Sequence, residues 1–241
     1  MKLAIAVPTY NEAINISKLL PAIKKHVINY QGLECTVFII DDNSPDGTAD
    51  IATAIGKKIS DKKFNVRVLN RAKKEGLGRA YVFAFQQIIP ENFDYILQMD
   101  ADLSHDPKYI PEFLDQTKNA DFVVGSRYIK GGSTPDWQWY RKLQSRGGNF
   151  YARLFLGSKI TDYTGGYNLY SQDLLKKIKL ETLQAGGYGF LIDLKHKALM
   201  HCKNAVQVPI VFKDRQHGNS KIPRSTIIKN FLLVPSIRYR G

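Results

Sequence analysis

Short apolar runs, regularly separated by stretches of helical periodicity, constrain this chain more than any other feature. "KLAIAVP" (2–8), "CTVFIIDD" (35–42), "NVRVLN" (65–70), "DYILQMD" (94–100) and "DFVVGSR" (121–127) are strand-length and mostly apolar. Between the first two, Ile16, Leu19, Leu20, Ile23 and Val27 recur at helical spacing. "ADIATAIGKKI" (49–59), "RAYVFAFQQII" (79–89) and "DPKYIPEFLDQTK" (106–118) read as further helices. "NSPDGT" (43–48) is turn chemistry, with Asp46 or Thr48 placed to cap the helix after it, and Asp106 before Pro107 is a helix start. Strands joined by helices of this length predict βαβ units, hence an α/β fold with a mostly parallel central sheet flanked by helices.

In such sheets ligands bind beyond the carboxyl ends of the strands. The residues found there are polar: Pro8-Thr9-Tyr10-Asn11-Glu12, then Asp41-Asp42, then Asp100 and Asp102, then Ser126-Arg127. Two carboxylates one residue apart repel unless a cation lies between them. Taken alone, Asp100-Ala101-Asp102 suits either a solvated turn or a site for Mg²⁺ or Mn²⁺, hard ions that keep positions open for phosphate oxygens. His105 reads as a loop histidine.

The second half is less regular. "WYRKLQSRGGNFYARLF" (139–155) looks helical around a Gly-Gly pair, "DYTGGYNLY" (162–170) is a loop entering a short strand, "GYGFLIDLKHKALM" (187–200) a helix and "NAVQVPIVF" (204–212) a strand. "DRQHGNSK" (214–221) is a polar loop. No linker or repeat interrupts the chain, so a single domain is expected.

The net charge of +13 calls for an anionic partner. Nucleic acid is not expected, because acids rather than aromatics gather at the strand ends, where they would repel a phosphate backbone. "GLGRAY" (76–81) lacks dinucleotide-fingerprint spacing, and there is no P-loop sequence. Cys35 and Cys202 have no metal-type spacing and read as reduced thiols of a cytoplasmic protein. The apolar run before Pro8 is too short for a signal peptide, and no run approaches the length of a spanning helix.

"VPTYNE", "IIDDNSPDGT", "RAKKEGLGRAY", "MDADLSHDP", "VVGSRY", "YRKLQS", "TGGYNLY", "GYGFLID" and "VPIVFKDRQHGNSK" occur in this order along nearly the whole chain. Together they resemble glycosyltransferase family 2, and within it the dolichyl-phosphate and polyprenyl-phosphate mannosyltransferases, which have a GT-A fold. The resemblance implies inverting transfer of a sugar, mannose from GDP-mannose, onto polyprenyl or dolichyl phosphate. A UDP-sugar donor (glucose or N-acetylglucosamine) or a non-lipid acceptor is the alternative, and a non-catalytic nucleotide-sugar-binding protein the remote one. It implies that Pro8, Tyr10, Glu12, Ile40 and Asp42 hold the nucleoside. Asp100, Ala101 and Asp102 would face the diphosphate, with Asp100, Asp102 and Ser104 at a divalent metal, Mg²⁺ or Mn²⁺. Arg215 and Lys221 would bind the donor diphosphate. Arg127, Arg141 and Ser145 would bind the acceptor phosphate, and Asp100, Asp102 and Arg127 would carry the catalysis. The sequence departs from the family at Asn168, where relatives have arginine or phenylalanine, and at Asp193, where they have glutamate.

The acceptor's lipid tail stays in a bilayer, and relatives either carry a spanning helix or rely on a separate membrane-anchor protein. The expectation is therefore a catalytic domain over 1–221 and a basic amphipathic segment over 222–241, peripheral to the cytoplasmic face of a membrane. In that segment and just before it, Lys221, Arg224, Lys229, Arg238 and Arg240 flank Ile227, Ile228, Phe231, Leu232 and Val234. Packing of the same segment on the domain is the competing expectation.

Overall fold

The computed structural model describes residues 1–183, 187–214 and 233–239. β1 (Lys2–Thr9), β2 (Glu34–Asp41), β3 (Phe64–Asn70), β4 (Tyr95–Gln98), β5 (Phe122–Ser126), β6 (Asn168–Ser171) and β7 (Ala205–Pro209) form one seven-stranded sheet in the order β3-β2-β1-β4-β6-β5-β7. Strand residues alternate between its faces. Leu3, Ile5 and Val7 pack into a core with α1 (Ala13–Val27) and α4 (Ile110–Asp115). Ala4 and Ala6 face a second core with α3 (Leu77–Ile88) and α7 (Gly187–His201). Helices on both faces explain why the strands read as continuous apolar runs.

All pairings are parallel except those of β6, which runs antiparallel between β4 and β5. The expected fourth and fifth strands are therefore not neighbours. β6 separates their carboxyl ends by two strand spacings, about 10 Å. Because it is reversed, its N-terminal end, rather than its C-terminal end, reaches the polar edge: Asn168 pairs with Gln98 on one side and Val124 on the other. The 157–167 loop is thereby delivered to that edge.

Local chemistry follows the expected signals with one break. The Asp46 carboxylate accepts from the Thr48 and Ala13 backbone N–H groups at 3.1 Å each, so it serves the first turns of both α2 (Thr48–Ile59) and α1. Asp106 accepts from Lys108 N–H at 3.1 Å, the expected cap. The helix it starts is not continuous: α4 is flanked by 3₁₀ turns at Pro107–Tyr109 and Gln116–Lys118. Pro107 and Pro111 at the starts of successive pieces remove N–H donors. α5 (Trp139–Leu156) runs unbroken through Gly147-Gly148, and α6 (Gln172–Lys177) follows β6 directly.

Residues 233–239 are helical, and Val234 and Ile237 are buried in the core shared with α7. At Val234, packing on the domain is the expectation met. Lys221, Arg224, Ile227, Ile228, Lys229, Phe231, Leu232 and Arg240, together with the 221/222 boundary, lie outside the described residues. Cys35 and Cys202 are both free thiols.

Candidate active site

The loops after β1 and β2 lock together first. Thr9 Oγ1 donates to Asp41 at 3.0 Å, and Ser44 gives Asp41 both its N–H (2.8 Å) and its hydroxyl (2.6 Å). Asp41 is thus a brace. Asp42 turns elsewhere, onto the Arg71 guanidinium at 2.5 Å, and Arg71 also meets Glu75 at 2.9 Å. Burial pushes the Asp42 carboxyl up, against the pull of Arg71. Glu12 accepts from the Asn15 side chain at 2.6 Å, and the Lys74 ammonium sits 4.0 Å above the Tyr10 ring. Pro8 pairs with Ile40 across β1 and β2, Ile40 being fully buried. The strand ends thus bring Pro8, Tyr10, Glu12, Ile40 and Asp42 to one edge; Arg71 and Lys74 join them, and the sequence reading did not single out either.

The loop after β4 carries the paired acids. Asp102 is buried, and its Oδ1 accepts from the Ser104 N–H at 3.1 Å and the Ser104 hydroxyl at 2.5 Å. That return is made possible by Leu103 at φ +64°, a left-handed conformation that a leucine adopts at a cost of about 1 kcal/mol or more. Asp100 is about one-third exposed; its Oδ1 accepts from Tyr81 Oη at 3.3 Å. His105 is no ordinary loop histidine: it is 1 % exposed and stacks on Tyr167 at 4.8 Å. Its Nδ1 accepts the Asp100 N–H at 2.9 Å, which assigns its proton to Nε2. Burial lowers its pKa and keeps it neutral. Tyr81 and Ser104, which donate to these acids, are neutral. Asp100, Asp102 and the Ser104 hydroxyl offer oxygen atoms alone, a donor set that fits a hard divalent cation. The lone pairs of Ser104 Oγ are what such a cation would use.

Beyond β5 the chemistry changes sign. Arg127 is buried and forms a two-pronged pair with Asp162 (Nε–Oδ2 and Nη2–Oδ1, both 2.7 Å), and Nη2 also donates to Thr164 at 2.8 Å. Its backbone is held close to Gly132, where a Cβ would come within 2.5 Å of the Ser126 carbonyl. Trp137 bridges the two arginines expected to act together: its ring lies 5.3 Å from the Arg127 guanidinium and 4.0 Å from that of Arg141. Arg141 also pairs with Asp214 at 2.9 Å. Ser145, one turn along α5, bonds to no arginine among the described residues; its hydroxyl meets Tyr128 Oη at 2.6 Å. Phe212 joins the two halves, its ring 5.5 Å from His105, 5.4 Å from Trp137 and 5.5 Å from the Arg127 guanidinium.

Asp162 and Lys195 escaped the sequence reading. Asp162 is fully buried, and Arg127 holds its carboxyl far below the usual range despite burial. A lone Asp in a loop and a Lys in mid-helix carry no local signal of pairing. Asn168 lies within the sheet, its side-chain amide donating to Gln98 at 3.0 Å, and Asp193 is buried with Lys197 at 3.7 Å. Arg215 and Lys221 lie outside the described residues.

The profile of glycosyl transferase family 2 matches residues 4–179. Among curated proteins, the undecaprenyl-phosphate mannosyltransferase of Micrococcus luteus is 37 % identical over 92 % of this chain and 88 % of its own. The polyprenol monophosphomannose synthase of Mycolicibacterium smegmatis is 36 % identical over 98 % of this chain and 87 % of its own. Among solved structures, glucosyl-3-phosphoglycerate synthase of Mycobacterium tuberculosis, in complex with Mn²⁺, UDP and glucosyl-3-phosphoglycerate, superposes with a TM-score of 0.68. It covers 99 % of this chain and 80 % of its own at 18 % identity. Mannosyl-3-phosphoglycerate synthase of Rubrobacter xylanophilus gives 0.66 over 100 % and 73 %, at 17 % identity. At such identities these structures speak to the fold alone. With the family profile covering most of the chain and two relatives above one-third identity over more than four-fifths of their length, the protein belongs to glycosyltransferase family 2.

Proposed function

We propose that the protein transfers mannose from a nucleotide sugar, GDP-mannose, to the phosphate of a polyprenyl or dolichyl lipid at a membrane surface. The observation that carries this reading is the pairing of opposites along one sheet edge: a two-carboxylate loop after β4, and two arginines bridged by Trp137 beyond β5. The names of the two curated relatives support the sugar and the acceptor class.

The reaction must join two anions. An oxygen of the acceptor phosphate attacks the anomeric carbon, a C–O bond forms there, and the bond to the nucleoside diphosphate breaks with inversion. A phosphate monoester has a second pKa near 6, so at neutral pH the nucleophile is already ionised and needs no general base. The protein's task is to orient both partners and offset their charge. Tyr10, Glu12 and Asp42 supply a flat face and acceptors for the base and ribose. Asp100 and Asp102 would hold a divalent cation, which supplies charge stabilisation to the leaving diphosphate; Ser104 fixes the Asp102 carboxylate. Arg127, Arg141 and Ser145 bind and aim the acceptor phosphate, and Arg215 and Lys221 are assigned to the donor diphosphate.

Membrane contact has a second support that was not apparent in the sequence. α5 buries Asn149, Ala152 and Leu156 but exposes Trp139 (76 %), Leu143 (64 %), Phe150 (67 %) and Leu154 (70 %). At 3.6 residues per turn these four fall within an arc of about 60°. Lys142, Arg146 and Arg153 flank the arc on one side. An aromatic and apolar stripe with a basic border, on the helix that carries Arg141 and Ser145, suits the interface of an anionic bilayer. No helix among the described residues is long and apolar enough to cross a membrane.

The test offers radiolabelled GDP-mannose, UDP-glucose and UDP-N-acetylglucosamine in turn with a polyprenyl phosphate. Transfer from GDP-mannose into the lipid phase is expected. Transfer only from a UDP-sugar would replace the donor and keep the family; transfer to no lipid phosphate would overturn the acceptor.

A further inference from the structure

Behind Arg127 lies a buried cluster that, among the described residues, holds two basic side chains and one carboxylate. Arg127 and Asp162 neutralise each other through two hydrogen bonds of 2.7 Å. Lys195, reaching in from α7, is 0 % exposed, and its Nζ donates to the Asp162 backbone carbonyl at 2.6 Å. Lys195 thus meets the Asp162 backbone rather than its carboxylate, which Arg127 occupies, and Asp162 is the one anion that acts on Lys195 among the described residues, so protonating Lys195 adds a positive charge to the cluster. A buried charge without a counter-ion is costly unless the group neutralises itself or an anion arrives.

We propose that Lys195 is a positioning residue whose missing counter-charge is the acceptor phosphate itself, so that binding the acceptor and protonating Lys195 are coupled. This rests on the reading that Arg127 faces that phosphate. With no anion bound, burial pushes the Lys195 ammonium down to about 7, Asp162 pulling against that and Arg127 adding to it. An arriving phosphate favours the charged form, and a proton is taken from solvent: Lys195–NH₂ becomes Lys195–NH₃⁺ as the complex forms. Lys195 donates to the Asp162 carbonyl in either state; charged, it does so more strongly and adds to the positive field at Arg127.

The groups around Lys195 leave this titration to it. Asp162 enters from the α5–β6 loop and Arg127 from the end of β5; neither changes charge near neutral pH, Asp162 being held far below it. His105, from the β4–α4 loop, feels Lys195 and is kept neutral by burial. Tyr81 of α3, stacked on Phe190 of α7 at 5.9 Å, has a phenol raised well above its usual range. α6 turns Asp173, Lys176 and Lys177 to solvent, and Arg238 of the 233–239 helix acts on His196.

The experiment is calorimetric titration of the full chain with farnesyl phosphate at pH 8, in two buffers of different ionisation enthalpy. At that pH the probe's phosphate is already a dianion, so it contributes almost no proton of its own. The expected result is uptake of about half a proton or more per ligand, and an affinity that falls about tenfold between pH 7 and 9. Lys195→Met should bind more weakly with no uptake, and Lys195→Arg, which keeps a permanent charge, should bind with no uptake and little pH dependence. Binding by the wild type without proton uptake overturns the role of Lys195 and leaves the acceptor site standing. Binding that is unaltered by Arg127→Gln, or no binding at all, overturns the acceptor reading and this inference with it.

Discussion

The carboxylate loop after β4 and the arginine beyond β5 lie one strand apart, yet their charges are held by opposite means. Asp102 accepts from a serine hydroxyl and a backbone N–H, and the Asp100 N–H donates to a neutral histidine, so these bonds are made by uncharged groups. Arg127 is fixed by a full counter-charge, Asp162, with Lys195 behind it. The first arrangement sets two carboxylates on uncharged supports at a partly exposed edge. The second buries its ion pair beside a second basic group, Lys195, whose protonation adds a positive charge. Uncharged supports suit carboxylates that recruit a cation; ionic scaffolding, with a second basic group behind it, suits a site that receives an anion.

The sharpest break in that contrast is Asp102→Ala. It removes a carboxylate that our reading assigns to the cation, and transfer should fall by about a thousandfold or more, with the response to added Mg²⁺ or Mn²⁺ lost. Wild-type rates in a metal titration of the variant would end the assignment.

On the other side, Asp162→Asn leaves Arg127 and Lys195 buried without their shared anion and should cost about 3–5 kcal/mol of stability in urea unfolding. The pH dependence has a definite sign. Asp162's folded pKa lies far below its unfolded value of about 3.9, so its stabilisation is fully present above that value and lost as pH falls below it. The wild type should lose stability below about pH 4, with a slope that Asp162→Asn lacks. Identical acid-unfolding curves would mean that the pair is not formed.

How far the two regions were legible in the sequence follows from the same difference. Asp100 and Asp102 stand in one motif at the end of an apolar run, so strand pattern and local spacing point to them together. Arg127's partner lies 35 residues on, and Lys195 a further 33, in a helix where lysine ordinarily reads as a solvated face. Their meeting depends on β6 running antiparallel between β4 and β5, which no four-residue run announces. The parallel half of the sheet was readable because helices on both faces demand unbroken apolar strands. The exposed stripe of α5 was missed because apolar periodicity in a helix ordinarily marks the side facing the core, whereas Trp139, Leu143, Phe150 and Leu154 face away from it.

That stripe sharpens the acceptor side. Phe150→Ser with Leu154→Ser should weaken co-sedimentation with anionic vesicles about tenfold or more, since each side chain would bury apolar area in the interface. The thermal midpoint should hardly move, because both residues are exposed. Unchanged vesicle binding would remove α5 as the contact. The smallest effect belongs to Ser104→Ala, which deletes one hydroxyl from Asp102. A loss of about 1 kcal/mol, read as a several-fold higher metal requirement, is expected.

The central claim is that the two anions are bound by different regions, and Arg141→Gln tests it most directly. Arg141 stacks on Trp137 beside Arg127 and is one-third exposed, so its replacement leaves the core intact. Initial rates of mannosyl transfer should be measured with GDP-mannose and a polyprenyl phosphate varied in turn. The account predicts that KM for the lipid phosphate rises about tenfold or more while KM for GDP-mannose stays within twofold. A rise confined to the KM for GDP-mannose would contradict it.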